Sequence, residues 1–183
     1  PIEGDEPGLS ELLSEVHARG LLRASTDPGV LEEADAIFVC VDSPVDEQKR
    51  PAMRYLRSAV GTIARNMRRG ALLSIESTIP PGTMSGLVIP AMREDRGFEP
   101  GNDYMLVHCP ERVMPGRLLR NIKEYDRVLG AYDDRSAKAA VEYYKRIVQG
   151  RIHPTTLINA EITKTTENAY RDVNIAFANE VSV

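Results

Sequence analysis

The chain has no tryptophan, and only two cysteines and three histidines among its 183 residues. Cys40 and Cys109 each end an apolar run, the place of small, buried, reduced thiols, so a disulfide framework is excluded. His17, His108 and His153 lack metal-ligand spacing, and no metal site is expected. No apolar run approaches the roughly 20 residues that a bilayer-spanning helix needs. No signal peptide is read either, which makes the cytoplasm the default address. Charge is not piled up on one sign: the net charge is −4 and the pI about 5.5. That balance argues against nucleic acid as the main partner, and the basic residues are scattered apart from short runs such as Arg65 to Arg69. Gly8, Gly20 and Gly29 are not spaced as G-x-G-x-x-G, so the usual pyrophosphate loop is absent from this piece. There is no internal repeat and no low-complexity segment.

What is present is an ordinary globular composition, 42% hydrophobic and 27% charged, of a length fitting one large domain or one domain and the start of another. The opening residues, PIEGDEPGLSELL, start in a loop without an initiator Met, and Val183 falls inside a helical pattern. An internal piece of a longer protein is the expectation. Two hydrophobic periods alternate along the chain. Helical spacing runs from Gly8 to Arg19, over Val30 to Glu33, and through Met53, Leu56, Ala59, Val60, Ile63 and Met67. It recurs from Pro80-Pro81-Gly82-Thr83 through Leu87 and Met92, and from Ser136 to Val148. Strands are expected at Leu21–Ser25, Ala36–Val41, Ala71–Ile75, Tyr104–His108, Arg127–Gly130 and Ile152–Leu157. Continuous apolar runs such as Ala36-Ile-Phe-Val-Cys-Val41 suit parallel strands covered on both faces. Strands separated by helices mean βαβ units, so the fold class is α/β with a doubly wound parallel sheet that lacks its first βαβ unit. The one candidate boundary lies near Pro154 to Ile158, dividing a sheet domain, residues 1–157, from the start of a long helix, residues 158–183.

In such sheets ligands bind beyond the carboxyl ends of the strands. Three loops there carry unusual chemistry. Val39-Cys-Val-Asp-Ser-Pro44 offers the hydroxyl of Ser43 ahead of a proline. Ile75-Glu-Ser-Thr-Ile-Pro-Pro-Gly-Thr83 offers Ser77, Thr78 and the following helix N-terminus, donors suited to a phosphate, ribose or carboxamide. His108-Cys-Pro-Glu-Arg-Val113 brings Glu111 and Arg112 to the same edge. Turn chemistry alone accounts for any one of these loops; three on one edge point to a site. The last helix adds a fourth element. At 100° per residue Ile162, Ala169, Val173, Ala176 and Phe177 share one side, and Lys164, Asn168 and Arg171 form a stripe on the other. A cation, an amide and a guanidinium on one rigid face can grip an anionic, hydroxyl-rich ligand.

C-V-D-S-P, E-S-T-I-P-P-G-T, H-C-P-E-R-V-M-P-G, D-R-V-L-G and K-T-T-E-N-A-Y-R-D-V-N-I-A-F-A-N-E stand in an order and spacing that resembles the UDP-glucose/GDP-mannose dehydrogenase family. The likeness covers essentially the whole chain and is most specific in the last third. P-E-R-V with the final helix looks most like the branch that oxidises UDP-N-acetyl-D-mannosamine. The resemblance implies a Rossmann-like NAD-binding domain followed by a central helical domain. It also implies two NAD-dependent steps that take C6 of the sugar from alcohol to acid without release of the aldehyde, for surface polysaccharide synthesis.

Residue by residue, it places Ser43, which stands where the family has Thr, and Thr78 against NAD. Glu111 becomes the acid–base or water-activating group near the reacting carbon. Arg112 and Val113 touch the nucleotide sugar. Lys164 stabilises the developing oxyanion, Asn168 holds the same oxygen or a water, and Arg171 reaches the substrate. Lys164, Asn168, Glu111 and Thr78 are thus the implied catalytic set, and the implied partners are a UDP-sugar and a second subunit joined through the long helix. The family's catalytic cysteine belongs to a later domain, and its glycine-rich loop would precede Pro1. Neither Cys40 nor Cys109 is in the cysteine motif, so this piece alone is expected to be inactive.

Rival readings keep the chemistry but change the sugar to UDP-glucose, UDP-GlcNAc or UDP-GalNAc, or change the reaction to a two-electron 3-hydroxyacid or 6-phosphogluconate type. A rival from another class is a non-catalytic nucleotide-binding or dimerisation module, with the apolar side of the helix, about 35 Å long, as its interface.

Overall fold

The computed structural model describes residues 6–182. Its centre is a five-stranded sheet in the order β1 (Ala36–Val39), β2 (Leu72–Ile75), β3 (Met105–His108), β4 (Arg127–Ala131) and β5 (Ile152–Thr156). The first three strands are parallel and in step, Val39 facing Ile75 and Ile75 facing His108, so their three C-terminal loops leave one edge at one level. β4 then runs antiparallel to β3, with Val107 opposite Ala131, and β5 is parallel to β4. The sheet is therefore mostly parallel, and the reversal brings the start of β4 to the edge where β1 to β3 finish.

Side chains alternate across this sheet and pack on helices on both faces. Leu73, Ile75 and Leu106 bury against Leu56, Val60 and Ile63 of α2 (Arg54–Asn66) and Met92 of α3 (Ile89–Arg96). Leu72, Val107 and Leu129 bury on the other face against Ala140 and Tyr144 of α5 (Asp134–Tyr144). Each such side chain, withdrawn from water, contributes roughly 1.5–3 kcal/mol. The helix expected after Pro80 starts as a wide turn, Met84–Val88, in which the Ile89 amide reaches back to the Met84 carbonyl. That extra residue per turn admits Pro90 to the helical path, where an ordinary turn would meet its missing N–H.

Three expectations fail locally. Leu21–Ser25 joins no strand ladder, and Leu21 and Leu22 are exposed. The run Ala36–Val41 is covered on one face only: Ile37 and Val39 are buried, while Phe38 is exposed and meets the Tyr144 ring edge-on at 5.8 Å. Cys40, two residues on and on the same face, is exposed too, so only Cys109 is the buried thiol that was expected of both. The long loop before Arg127 holds a short helix, α4 (Leu118–Glu124), whose approach is fixed by Glu6: its carboxylate accepts from the amides of Gly116 (2.7 Å) and Leu118 (3.1 Å).

The chain ends in α6 (Leu157–Val181), opened by Thr156, whose hydroxyl accepts from the Asn159 amide. Its first turn lies hard against β4. A Cβ at Gly130 would stand 2.7 Å from the Ala160 Cβ and 2.8 Å from the Thr156 carbonyl oxygen, so this crossing requires glycine. Ala160 and Glu161 are the buried residues of α6; from Ile162 onward its apolar side chains, among them Tyr170, Val173 and Phe177, are exposed. Among the described residues no helix is long and apolar enough to cross a membrane.

Candidate functional site

The three strand-end loops are tied together by their own polar groups. Ser77 Oγ donates to the Val41 carbonyl (2.7 Å) and accepts from the Val41 amide (2.9 Å), so it clamps the second loop to the first. The Glu111 amide donates to the Glu76 carbonyl at 3.1 Å, tying the third loop to the second. Ser77 is thus a strut, and its hydroxyl is not a free donor for a ligand as the sequence suggested. Ser43 and Thr78, each half-buried, have hydroxyls without an intramolecular partner among the described residues and remain open to one.

The helix N-terminus after Thr78 is also occupied from within. Glu161 of α6, 1% exposed, places one carboxylate oxygen 2.7 Å from the Gly82 amide and the other 2.7 Å from the Met84 amide. An anion at a helix N-terminus satisfies orphan N–H groups and the positive end of the dipole together. Here a side chain of the chain itself does so, which removes those two donors from the expected phosphate set. The same contact, with the Gly130–Ala160 crossing, fixes where α6 leaves the sheet and so where Lys164 lies, one turn further on.

Beyond that turn, Lys164, Asn168 and Arg171 line a cavity of about 390 Å³. Arg112 and Val113 of the third loop form its opposite wall, with Tyr125 and Asp126. Five of the residues singled out in the sequence therefore converge on one space. Glu111 adjoins it, raising the Lys164 pKa by its charge. Ser43 and Thr78 stand apart, among the residues of the β1 and β2 loops, and do not line this cavity.

The charges sort themselves. Arg112 pairs with Glu167 and donates to the Asp126 carbonyl at 3.3 Å. Asp126 is held below the usual carboxylate range by His153, 2.9 Å away, and by the Arg151 amide. Both acidic residues of the wall thus have partners of their own. Lys164 has no carboxylate paired to it among the described residues, and Arg171 donates only to Asn168 Oδ1, at 3.3 Å. The Lys164 ammonium is pushed below its ordinary value, first by burial; the Glu111 charge opposes this, and Arg171, Arg112 and Arg127 add to it. A half-desolvated cation crowded by guanidinium groups gains when an anion enters. Diphosphate and alkoxide are such anions.

Two residues at this edge escaped the sequence reading. Arg127, the first residue of β4, is 4% exposed, with its Nη1 3.5 Å from Glu111 Oε1. Glu76 is buried, hydrogen-bonded to Ser74 Oγ (2.6 Å) and to the Tyr144 hydroxyl, and its pKa is raised chiefly by that burial. An arginine opening an apolar strand and a glutamate directly after one were the available signals.

Comparison with known proteins bears on this site. The sequence model of the UDP-glucose/GDP-mannose dehydrogenase family, NAD binding domain, matches residues 2–148. The chain is 41% identical, over 97% of its length, to an NDP-N-acetyl-D-galactosaminuronic acid dehydrogenase of Ralstonia solanacearum, of which it covers 43%. It is 40% identical, again over 97% of its length, to a UDP-N-acetyl-D-mannosamine dehydrogenase of Campylobacter jejuni, of which it covers 45%. A UDP-N-acetyl-D-mannosamine dehydrogenase structure from Pyrococcus horikoshii superposes with a TM-score of 0.93 at 37% identity, matching 98% of this chain and 42% of that one. A ternary complex of GDP-mannose dehydrogenase from Pseudomonas aeruginosa superposes with a TM-score of 0.90 at 26% identity, over 98% of this chain and 42% of that one. The chain thus spans less than half the length of these relatives. With its three strand-end loops, its Rossmann-type sheet and a match over most of its length, the chain belongs to the UDP-glucose/GDP-mannose dehydrogenase family, and residues 2–148 correspond to that family's NAD-binding domain.

Proposed function

We propose that this chain is part of an NAD-dependent nucleotide-sugar 6-dehydrogenase that oxidises C6 of a UDP-amino sugar, UDP-N-acetylmannosamine foremost, to the carboxylate. The observation that carries the reading is the convergence of Lys164, Asn168, Arg171, Arg112 and Val113 on one cavity beside Glu111. The names of relatives at about 40% identity support the sugar class.

In this reading NAD, when bound, would supply the acceptor for the hydride of the sugar carbon. Ser43 and Thr78, with free hydroxyls at the strand edge, suit its nicotinamide end. Glu111 accepts the proton of the C6 hydroxyl. Lys164 stabilises the negative charge left on that oxygen; a fixed cation withdrawn from water is worth more to an alkoxide than a solvated one. Asn168 holds the oxygen or the attacking water with its amide, and Arg171 and Arg112 take the anionic nucleotide portion. The four-electron outcome needs a nucleophile for the aldehyde stage, which we assign to neither cysteine of this chain. Burial first, then Glu76, pushes the Cys109 thiol up to about 12, and burial, Glu76 and Glu111 raise Cys40. Thiols so placed are poor nucleophiles, and this piece alone is inactive in the proposal.

We further propose that residues 1–157 form the NAD-binding unit and residues 158–183 open a central helical domain. That helix joins two subunits through the exposed apolar side that carries Val173 and Phe177. The cytoplasm and a role in surface polysaccharide synthesis belong to the same proposal. The test is a panel of UDP-N-acetylmannosamine, UDP-glucose, UDP-GlcNAc and UDP-GalNAc offered to the full-length protein with NAD. A kcat/KM highest for UDP-N-acetylmannosamine supports the assignment. Preference for another sugar moves the substrate within the family, and no turnover with any sugar favours a binding module.

A further inference from the structure

The D-R-V-L-G motif has so far no task. Its arginine, Arg127, begins β4, and β4 is the strand that reverses direction. Val107 faces Ala131 and His108 faces Gly130; continuing that antiparallel register past the end of β3 brings position 127 level with position 111. The side chains follow suit. Arg127 Nη1 lies 3.5 Å from Glu111 Oε1, too far for a good hydrogen bond but close for an ion pair.

The guanidinium is otherwise poorly served. Its Nε and Nη1 are sealed from solvent and have no hydrogen-bond partner among the described residues. Arginine cannot shed its charge to escape this, and an ion pair that leaves buried donors idle is a poor way to stabilise a fold. Glu111 is the carboxylate within its reach, and the same oxygen, Oε1, also accepts from the Val113 amide. Glu76, Cys40, Cys109 and Lys164 of α6 are the other titratable groups on which the Glu111 charge acts.

We infer that Arg127 is a positioning residue for Glu111: its buried guanidinium orients that carboxylate to take the proton of the sugar hydroxyl. The inference rests on the dehydrogenase reading for the proton's origin, but the coupling of Arg127 to Glu111 stands by itself. Val113 alone would leave the carboxylate free to rotate about its single amide contact. A guanidinium placed on the same oxygen restrains that rotation.

The test uses the full-length enzyme with Arg127→Met, which keeps the length and loses the charge, and Arg127→Lys, which keeps the charge. The Met variant should lose about 10- to 100-fold in kcat, with KM for NAD within about threefold of the parent. The Lys variant should recover most of the lost kcat. A Met variant with the parent's kcat overturns the inference. So does an equal loss in both variants together with a lowered Tm, which is the mark of a merely structural arginine. A second readout needs no turnover: at one fixed pH the ¹³C carboxyl resonance of Glu111 should shift in the Met variant and return toward the parent's position in the Lys variant. An unmoved resonance overturns the inference even if the parent oxidises no sugar. A parent that oxidises no sugar while the resonance does move counts against the dehydrogenase reading alone.

Discussion

Replacing Glu161 by alanine removes the contact that seats the long helix on the NAD-binding layer. Both carboxylate oxygens accept from backbone amides at 2.7 Å, and the side chain is 1% exposed, so water cannot replace it without opening the crossing of α6 over β4. Charge-assisted hydrogen bonds contribute about 1.5–3 kcal/mol each, and a buried amide left without a partner keeps its full desolvation cost. Two such bonds, partly offset by relaxation of the loop at Gly82, put the loss for Glu161→Ala at about 4 kcal/mol. For a chain of this size 1 kcal/mol moves Tm by about 2–4 °C, so Tm should fall by roughly 10 °C. Glu161→Gln offers one acceptor oxygen and sets an amide against the other N–H, and should lose at least half as much. Urea and thermal unfolding of parent and variants read both. An alanine variant within about 1 kcal/mol of the parent would refute the reasoning, since it would mean that the cap carries no load.

His108 is fully buried, with Nδ1 2.8 Å from the Ile75 carbonyl, and burial lowers its pKa from 6.5 to about 4. The folded state refuses a proton that the unfolded chain accepts, so stability is intact above pH 6.5 and falls as pH drops toward 4, by about 3 kcal/mol in all. NMR of the imidazole should show it neutral down to about pH 4, and a midpoint near 6.5 would contradict the burial argument. Lys164→Met in the full-length enzyme should cost about 100- to 1,000-fold in kcat with NAD affinity unchanged; unaltered kcat would remove the lysine from the mechanism. Cys40→Ser should leave turnover intact, and Cys109 should resist alkylation by iodoacetamide in the native protein; loss of activity on the Cys40 change would reopen the assignment of the nucleophile.

The sequence displayed the features that depend on hydrophobic period. β2 reads as a short apolar run and is buried on both faces, and Lys164, Asn168 and Arg171 read as a stripe and line one cavity. It concealed those that depend on partners distant in the chain. Leu21–Ser25 has strand composition but no strand to pair with, so it stays open and exposed. α4 has few apolar positions and takes its start from Glu6, more than a hundred residues earlier. Direction was hidden as well: Arg127–Ala131 reads the same parallel or antiparallel, and only the packed sheet shows the reversal that carries Arg127 to Glu111. Nothing in local pattern marks Arg127 or Glu161 as buried, because what buries them is another part of the chain. Ser77 was read as a ligand donor since a hydroxyl's commitment to a neighbouring loop leaves no trace in local pattern.

The number of electrons the sugar gives up separates this chemistry from that of two-electron dehydrogenases. Counting the NADH released per molecule of UDP-N-acetylmannosamine consumed by the full-length protein measures this directly. Two NADH, with none from UDP-glucose, is the predicted result and joins four-electron chemistry to the amino-sugar branch. One NADH per sugar would place the protein with two-electron dehydrogenases, and none with any nucleotide sugar would contradict the assignment of Glu111 and Lys164 to catalysis.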